Sequence, residues 1–266
     1  MTRRSATAQN GDVAIAYEVQ ENAESVKLVV MVPSFARGPG DFTGEFRSDL
    51  AERVAEAGYR VVLPTPRGFG SPTPVELSLE EMAADLAVVI EAERGDLPVA
   101  AVGHAYGNRV VRMLATVRPD IPSELILLAA GERTPGLTEV NEAIRTLVLP
   151  GPEADKRAAL KFAFFAERDD PGVWIEGWDP TLAMAQSRAN TVEAKEKWRA
   201  GGGVVPMHVV QASEDIVSPP EVGSALLRAD FPDRVTVSIV ENAGHALLPE
   251  QPYAVAAAVL GFLSRS

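Results

Sequence analysis

The run Val99, Ala100, Ala101, Val102, Gly103, His104, Ala105, Tyr106, Gly107 decides the fold. Its first four residues read as a short buried strand, and the two glycines read as a tight turn leading out of it. A turn of this form forces the side chain between the glycines out beyond the end of a sheet, where a hydroxyl would reach a carbonyl carbon. Here that side chain is the methyl of Ala105, which has nothing to attack with. The stretch specifies a scaffold and leaves the reaction open.

Outward from this turn, short β-branched runs alternate with longer amphipathic ones. Val13 to Val19, Lys27 to Val32, Tyr59 to Leu63 and Glu124 to Ala129 read as strands. Helical spacing runs from Phe46 to Ala57, stopped by Gly58, and from Asn108 to Val117. Ser78 with Glu81 predicts a capping box for a helix continuing through Met82, Leu86 and Ile90. After Gly131 the alternation breaks. Residues 131–203 carry helical pieces interrupted by Pro150, Pro152, Pro171 and Pro180, together with Trp174, Trp178 and Trp198, all the tryptophans of the chain. An aromatic-rich helical insertion at this point predicts a cap over a pocket; the alternative is ordinary helical packing with the aromatics as core. Gly201, Gly202 and Gly203 suit a flexible return to the sheet. Alternation resumes with a strand at Pro206 to Gln211, a helix at Pro219 to Leu227, a strand at Arg234 to Val240 and a helix at Pro252 to Leu263. The division expected is a core of residues 1–130 and 204–266, with 131–203 inserted as the cap. Strands alternating with helices imply a mainly parallel sheet covered on both faces.

At 266 residues and 46% hydrophobic the chain can bury a large core. A net charge of −12 and a pI near 4.8 argue against nucleic-acid or anionic-membrane partners, which require a positive field. Without cysteine, a disulfide framework, a thiolate nucleophile and a thiolate-ligated metal are all excluded. The three histidines lack metal-ligand spacing, so no metal and no cofactor is expected. Met1 to Asn10 has Arg3 and Arg4 but no apolar run after them, and no stretch approaches a membrane span, so the expected location is the cytoplasm. The pattern leaves oligomeric state unread.

Two polar positions follow the last two strands: Asp215, in Gln211 to Val217, and His245, in Glu241 to His245. Loops after parallel strands converge beyond their carboxyl ends, so 105, 215 and 245 are expected to meet there. Their chain order is nucleophile position, acid, histidine. On these residues the chain resembles the α/β-hydrolase superfamily over nearly its whole length. Arg67, Gly68, Phe69 and Gly70 are similar to that family's turn after the fourth strand, and the Ala243, Gly244, His245 context matches as well. Pro33 to Gly38 together with Gly103 to Asn108 looks like a subgroup in which alanine is the native residue at the turn. The resemblance implies an α/β-hydrolase fold, with a mainly parallel eight-stranded sheet, helices on both faces and a helical cap. It also implies that Asp215 orients His245 and that the backbone amides of Phe35 and Tyr106 form an oxyanion hole.

Where many members read His-Gly in the first loop, this chain reads Pro33, Ser34. Ser34 is then a candidate relocated nucleophile served by His245, the alternative being a hydroxyl bonded within its own loop. Arg37 is a candidate for a substrate carboxylate or phosphate, against a surface role. His104 and His208 read as packed or locally bonded side chains. The aromatics Phe162, Phe164, Phe165 and Trp178 suggest an apolar pocket. Losing the nucleophile of a complete triad costs roughly 10⁶-fold in turnover. The leading expectation is accordingly an enzyme acting on a small, largely apolar ester, lactone or carbonyl compound through an Asp/His base and an oxyanion hole, without an acyl-enzyme at residue 105. Its alternatives are a binding protein without turnover, and a serine esterase into which alanine has been introduced at 105.

Overall fold

Strands in the middle of a parallel sheet must be apolar along both faces, because helices cover each side. β3 (Leu28–Val32), β5 (Val99–His104), β6 (Glu124–Leu128) and β7 (Met207–Ala212) are buried at every position, and β4 (Arg60–Pro64) at all but its first. With β1 (Thr2–Asn10), β2 (Val13–Glu21) and β8 (Val235–Val240) they form one sheet of eight strands in the order β1-β2-β4-β3-β5-β6-β7-β8. β2 is antiparallel to β1 and β4; every other pairing is parallel. This is the α/β-hydrolase fold. The computed structural model describes residues 1–22, 24–73, 75–131, 137–201 and 203–265.

Alternate strand residues point to opposite faces, and each set finds its own helices. Val29, Met31, Val61 and Val102 pack with Leu50 and Val54 of α1 (Leu50–Glu56) and with Val255 and Val259 of the last helix, α9 (Pro252–Leu263). Leu28, Val30, Val62 and Ala101 pack with Leu86 and Ile90 of α2 (Leu79–Arg94) and with Val111 and Leu114 of α3 (Gly107–Val117). The capping box forms as expected: Ser78 Oγ accepts from Glu81 N–H at 3.1 Å, and the Glu81 carboxylate accepts from Ser78 N–H at 2.7 Å.

Between β6 and β7 lie α4 (Thr138–Val148), α5 (Glu153–Ala163), a 3-10 turn at Pro171–Trp174, α6 (Pro180–Ala189) and α7 (Val192–Arg199). α4, α5 and the 3-10 turn share a third apolar cluster, in which Leu147, Leu160, Phe164, Phe165 and Trp174 meet Phe46 and Ala246, whereas Ala194 and Trp198 of α7 pack into the core that holds α2 and α3. Residues 132–136, where this insertion is expected to begin, and Gly202 of the glycine run fall outside the described residues.

Some boundaries differ from the sequence expectation. The first strand escapes the periodicity argument because β1 is a polar edge strand in which Ala8 alone is buried. The helix expected from Phe46 starts only at Leu50, because Arg47 and Asp49 are left-handed at φ +61° and +52° and interrupt any helix through them. Likewise α8 (Ser224–Asp230) begins after Gly223, five residues later than Pro219.

Candidate active site

Ala105 sits in the left-handed region at φ +46°, a conformation costing an L-residue roughly 1–2 kcal/mol. Its N–H is tied to the Leu128 carbonyl at 2.9 Å, and its own carbonyl accepts from Asn108 N–H at 3.1 Å as α3 begins. The flanking glycines are sterically required. A Cβ on Gly103 would stand 2.5 Å from the Gly107 backbone, and one on Gly107 would stand 2.2 Å from the Val32 carbonyl oxygen. The turn is thereby pressed against the end of β3 and the loop that follows it.

That loop is held at nearly every peptide. Ser34 N–H donates to the Asp41 carboxylate at 3.2 Å, Ala36 N–H donates to Gln186 Oε1 at 2.7 Å, and the Ala36 carbonyl accepts from Asp179 N–H at 2.7 Å. The amides of Phe35 and Tyr106 have no hydrogen-bond partner among the described residues. The Tyr106 hydroxyl, its pKa pushed up by burial, stays protonated and donates to the Gln186 carbonyl at 3.0 Å. One residue of α6, Gln186, thus clamps both loops carrying the expected oxyanion amides. Nothing in its sequence context marks it, because the partners are 80 and 150 residues away.

His245 and Asp215 meet as expected. His245 Nδ1 lies 2.9 Å and 3.0 Å from the two Asp215 carboxylate oxygens. Asp215, buried after β7, also accepts from Ser218 N–H at 2.8 Å and from Gln211 Nε2 at 3.2 Å. A carboxylate only accepts, so in the neutral imidazole the proton is on Nδ1 and Nε2 carries the lone pair. The imidazole edge is braced by the Phe164 ring, 5.5 Å away. Gly244 lets this loop approach, since a Cβ there would be 2.6 Å from the Phe164 carbonyl oxygen. Glu250 closes the loop by accepting from Gly244 N–H at 2.8 Å and Ala166 N–H at 2.7 Å.

A single cavity of about 900 Å³ joins these parts. Ser34, Phe35, Ala105, Tyr106, Trp178 and His245 all line it. Ser34 Oγ bonds to nothing in its own loop, contrary to the local alternative read from the sequence. Of the four aromatics named for the pocket, Phe164 and Trp178 reach it, Phe165 is buried away from it and Phe162 is exposed.

The structure does not bring Arg37 to the cavity wall. Its side chain is fully buried, paired with Asp41, bonded to the Glu176 carbonyl at 3.1 Å and enclosed by the rings of Phe46, Trp174 and Trp178 at 4.4, 4.5 and 5.1 Å. It holds the first loop against the helical insertion instead of meeting an anion. Burial by itself would raise the Asp41 carboxyl, and the Arg37 guanidinium overrides it and holds the group charged. Next to it, His104 is fully enclosed; burial lowers its pKa and keeps the ring neutral, with Nδ1 3.6 Å from Asp41. His208 stacks on Phe262 at 4.8 Å and bonds Thr236 at 2.8 Å inside the sheet, where burial lowers its pKa to about 4. Among the described residues no group of three His, Asp or Glu side chains converges as metal ligands would, and no helix is long and apolar enough to cross a membrane.

Comparison with known proteins fits this architecture. A model described as the Alpha/beta hydrolase family matches residues 29–258. Over 176 residues, 64% of the chain, the sequence is 29% identical to Lipase LipV of Mycobacterium tuberculosis, and the match spans 63% of that lipase's length. A thermophilic esterase from Thermogutta terrifontis has a TM-score of 0.75 at 20% identity, over 100% of this chain and 99% of the esterase. An esterase from Exiguobacterium antarcticum gives 0.74 at 17% identity, over 97% and 98%. At such identities the structural likeness speaks to fold alone.

Proposed function

Since the chain belongs to the alpha/beta hydrolase family, we propose that it is a hydrolase-type enzyme for a small, largely apolar ester, lactone or carbonyl compound, working without a nucleophile at residue 105. His245 is the general base, Asp215 fixes its tautomer and stabilises the imidazolium, and the Phe35 and Tyr106 amides receive the developing oxyanion. The helices of residues 131–203 act as a cap over a core of 1–130 and 204–266. The reading needs no bound cofactor, nucleic acid or membrane, and it places the protein in the cytoplasm.

One observation carries this reading. An imidazole locked to a buried carboxylate by Nδ1 faces the same cavity as the methyl of Ala105 and as two residues whose amides are unpaired. In the hydrolytic version Nε2 takes a proton from water as the oxygen bonds to the substrate carbonyl carbon, and the carbonyl π electrons move to the oxygen held by the amides. Collapse re-forms the carbonyl and expels the alkoxide, which takes the proton back from His245. Each oxyanion donor is typically worth about 10²- to 10³-fold in rate, so the arrangement supports turnover without an acyl-enzyme.

His245→Ala is expected to abolish hydrolysis across a panel of activated esters and lactones; unchanged turnover would sink the base role. Ala105→Ser separates this reading from an esterase that has lost its serine, because in that case the variant gains strong ester hydrolysis and burst kinetics. A second reading is favoured by the unbonded Ser34 hydroxyl on the cavity wall: a covalent route through Ser34. Labelling with a fluorophosphonate and mass mapping of the adduct to the Ser34 peptide decides for it, and full activity of Ser34→Ala decides against it.

A further inference from the structure

The cavity wall differs in charge from the rest of the molecule. Acidic residues outnumber basic ones 37 to 25 in the chain, yet among the described residues the side chains lining the cavity include Arg109, Arg145, Arg188 and Lys195 and no Asp or Glu. These cations come from four different helices, α3, α4, α6 and α7, so no single amphipathic face explains their convergence. Arg188 has Glu76 3.6 Å away on the outer side, where both are exposed. Arg145 and Lys195 have no ion-pair partner among the described residues. A concave wall of one charge sign concentrates the field inside it.

Their placement relative to the proposed chemistry is informative. Arg109 lies in the first turn of α3, four residues after Ala105, and its guanidinium carbon lies 5.1 Å from the centre of the Tyr106 ring and 5.9 Å from that of Trp198. Lys195 precedes Trp198 by three residues on α7, which puts it on the same face. Trp198 is therefore flanked by both cations. Apolar surface lies beside them. On α4 the cavity-lining positions include the stripe Val140, Ile144 and Val148, with Asn141 and Arg145 on the adjacent stripe. Nearer His245 the wall is made by Phe164, Trp178 and Val217.

Building on the proposed function, we infer that the substrate is an anionic amphiphile: an apolar body carrying the reacting carbonyl, and a carboxylate or phosphate seated among Arg109, Arg145, Arg188 and Lys195. Charge on the ligand is what the basic wall selects, and the apolar stripes carry the rest of the molecule. The chemistry at His245 and the anion subsite are separate, so each can fail alone.

Binding is read from quenching of tryptophan fluorescence, since Trp178 and Trp198 both line the cavity, with decanoate, decyl phosphate and decan-1-ol as probes. At least one of the two anions is expected to bind about ten-fold or more tighter than the alcohol, equivalent to one charge-assisted contact, and which one does so tells carboxylate from phosphate. That advantage should shrink as salt rises from about 0.05 to about 0.5 M. Lys195→Glu and Arg145→Glu should each weaken the preferred anion about five-fold or more while leaving the alcohol unchanged, as expected for removed electrostatic attraction. Equal binding of all three probes, or a preference that survives both charge reversals, overturns the inference. So does sedimentation with phosphatidylglycerol vesicles in the absence of any soluble-anion binding, which would assign the cations to a lipid surface. His245→Ala should retain anion binding, so a failed base test leaves this subsite standing, and a failed binding test leaves the base untouched.

Discussion

Replacing Asp215 with Asn tests the core of the site without a known substrate. The carboxylate accepts four close contacts from three donors: His245 Nδ1 at 2.9 and 3.0 Å, Ser218 N–H at 2.8 Å and Gln211 Nε2 at 3.2 Å. An amide offers one oxygen. If it stays on Ser218 N–H, the new NH₂ faces two donors, and His245 can only be accommodated by moving its proton from Nδ1 to Nε2. Gln211 has a partial escape, because its Oε1 is buried without a partner and can turn toward the new donor, at the expense of the 2.9 Å bond from Nε2 to the Ser218 carbonyl. The net loss is one charge-assisted hydrogen bond plus a compromised neutral one, about 1–3 kcal/mol. Against a total stability of roughly 5–15 kcal/mol the variant remains folded. With only three histidines in the chain, ¹⁵N spectra of the imidazoles are readily assigned, and the His245 proton should shift from Nδ1 to Nε2 while His104 and His208 stay unchanged. Chemical denaturation should show the stability loss. On any substrate turned over, activity should fall roughly 10²- to 10⁴-fold, as when a base is left in the wrong tautomer. A His245 tautomer that stays on Nδ1, with stability unaltered, would refute the reasoning.

Gly107→Ala places a methyl 2.2 Å from the Val32 carbonyl oxygen; forced displacement of backbone should cost more than about 3 kcal/mol, and an unchanged denaturation midpoint would show that the turn has slack. Gln186→Ala leaves the Ala36 N–H, previously bonded at 2.7 Å, without its partner; a loss of about 1–3 kcal/mol is expected, with faster amide exchange confined to the 33–38 loop and the foot of α6. Burial pushes the Glu250 carboxyl from 4.5 up to about 7 despite its two amide donors, so the folded state binds this proton more tightly than the unfolded chain. Its contribution is fully present below about pH 4.5 and lost as pH rises through about 7; Glu250→Gln should remove that fall from a melting-temperature profile, and parallel profiles would reject the assignment.

Much of this was readable from residue order because the deciding constraints are local. Gly103 and Gly107 are required by atoms a few residues away or at the neighbouring strand end, and Ser78 with Glu81 closes a box over three residues. Asp215 and His245 are legible for another reason: a parallel sheet delivers the residues following its strands to one rim, so loop position substitutes for contact information. Elsewhere the deciding partner is remote. Arg37 sits in a glycine-flanked loop that reads as exposed, and only the aromatic rings of Phe46, Trp174 and Trp178 show it to be interior. Gln186 is an unremarkable helical residue until Ala36 and Tyr106 arrive. β1 gave no apolar alternation because both of its faces are largely exposed, although Gly11 and Asp12 form a two-residue hairpin loop, with Asn10 paired to Val13 and Gly11 at φ +60°.

Ala105 is where binding and catalysis make different demands. Its left-handed conformation costs about 1–2 kcal/mol that glycine would avoid. The amides of Phe35 and Tyr106, both cavity-lining residues, have no partner among the described residues. A cavity that merely held an apolar ligand would have no use for strain or for free donors. Both features do serve negative charge. The turn leaves the Tyr106 N–H unbonded at the head of α3, whose aligned peptides add partial positive charge at that end. The Phe35 N–H is likewise the unpaired peptide in a loop whose neighbours are tied down by Asp41, Gln186 and Asp179. None of this requires a hydroxyl on residue 105. The strain and the unpaired donors therefore suit the proposed reaction, in which charge develops on a substrate oxygen and a proton passes to His245. In that proposal the attacking group is water or the substrate itself, and the methyl of Ala105 leaves it room to stand.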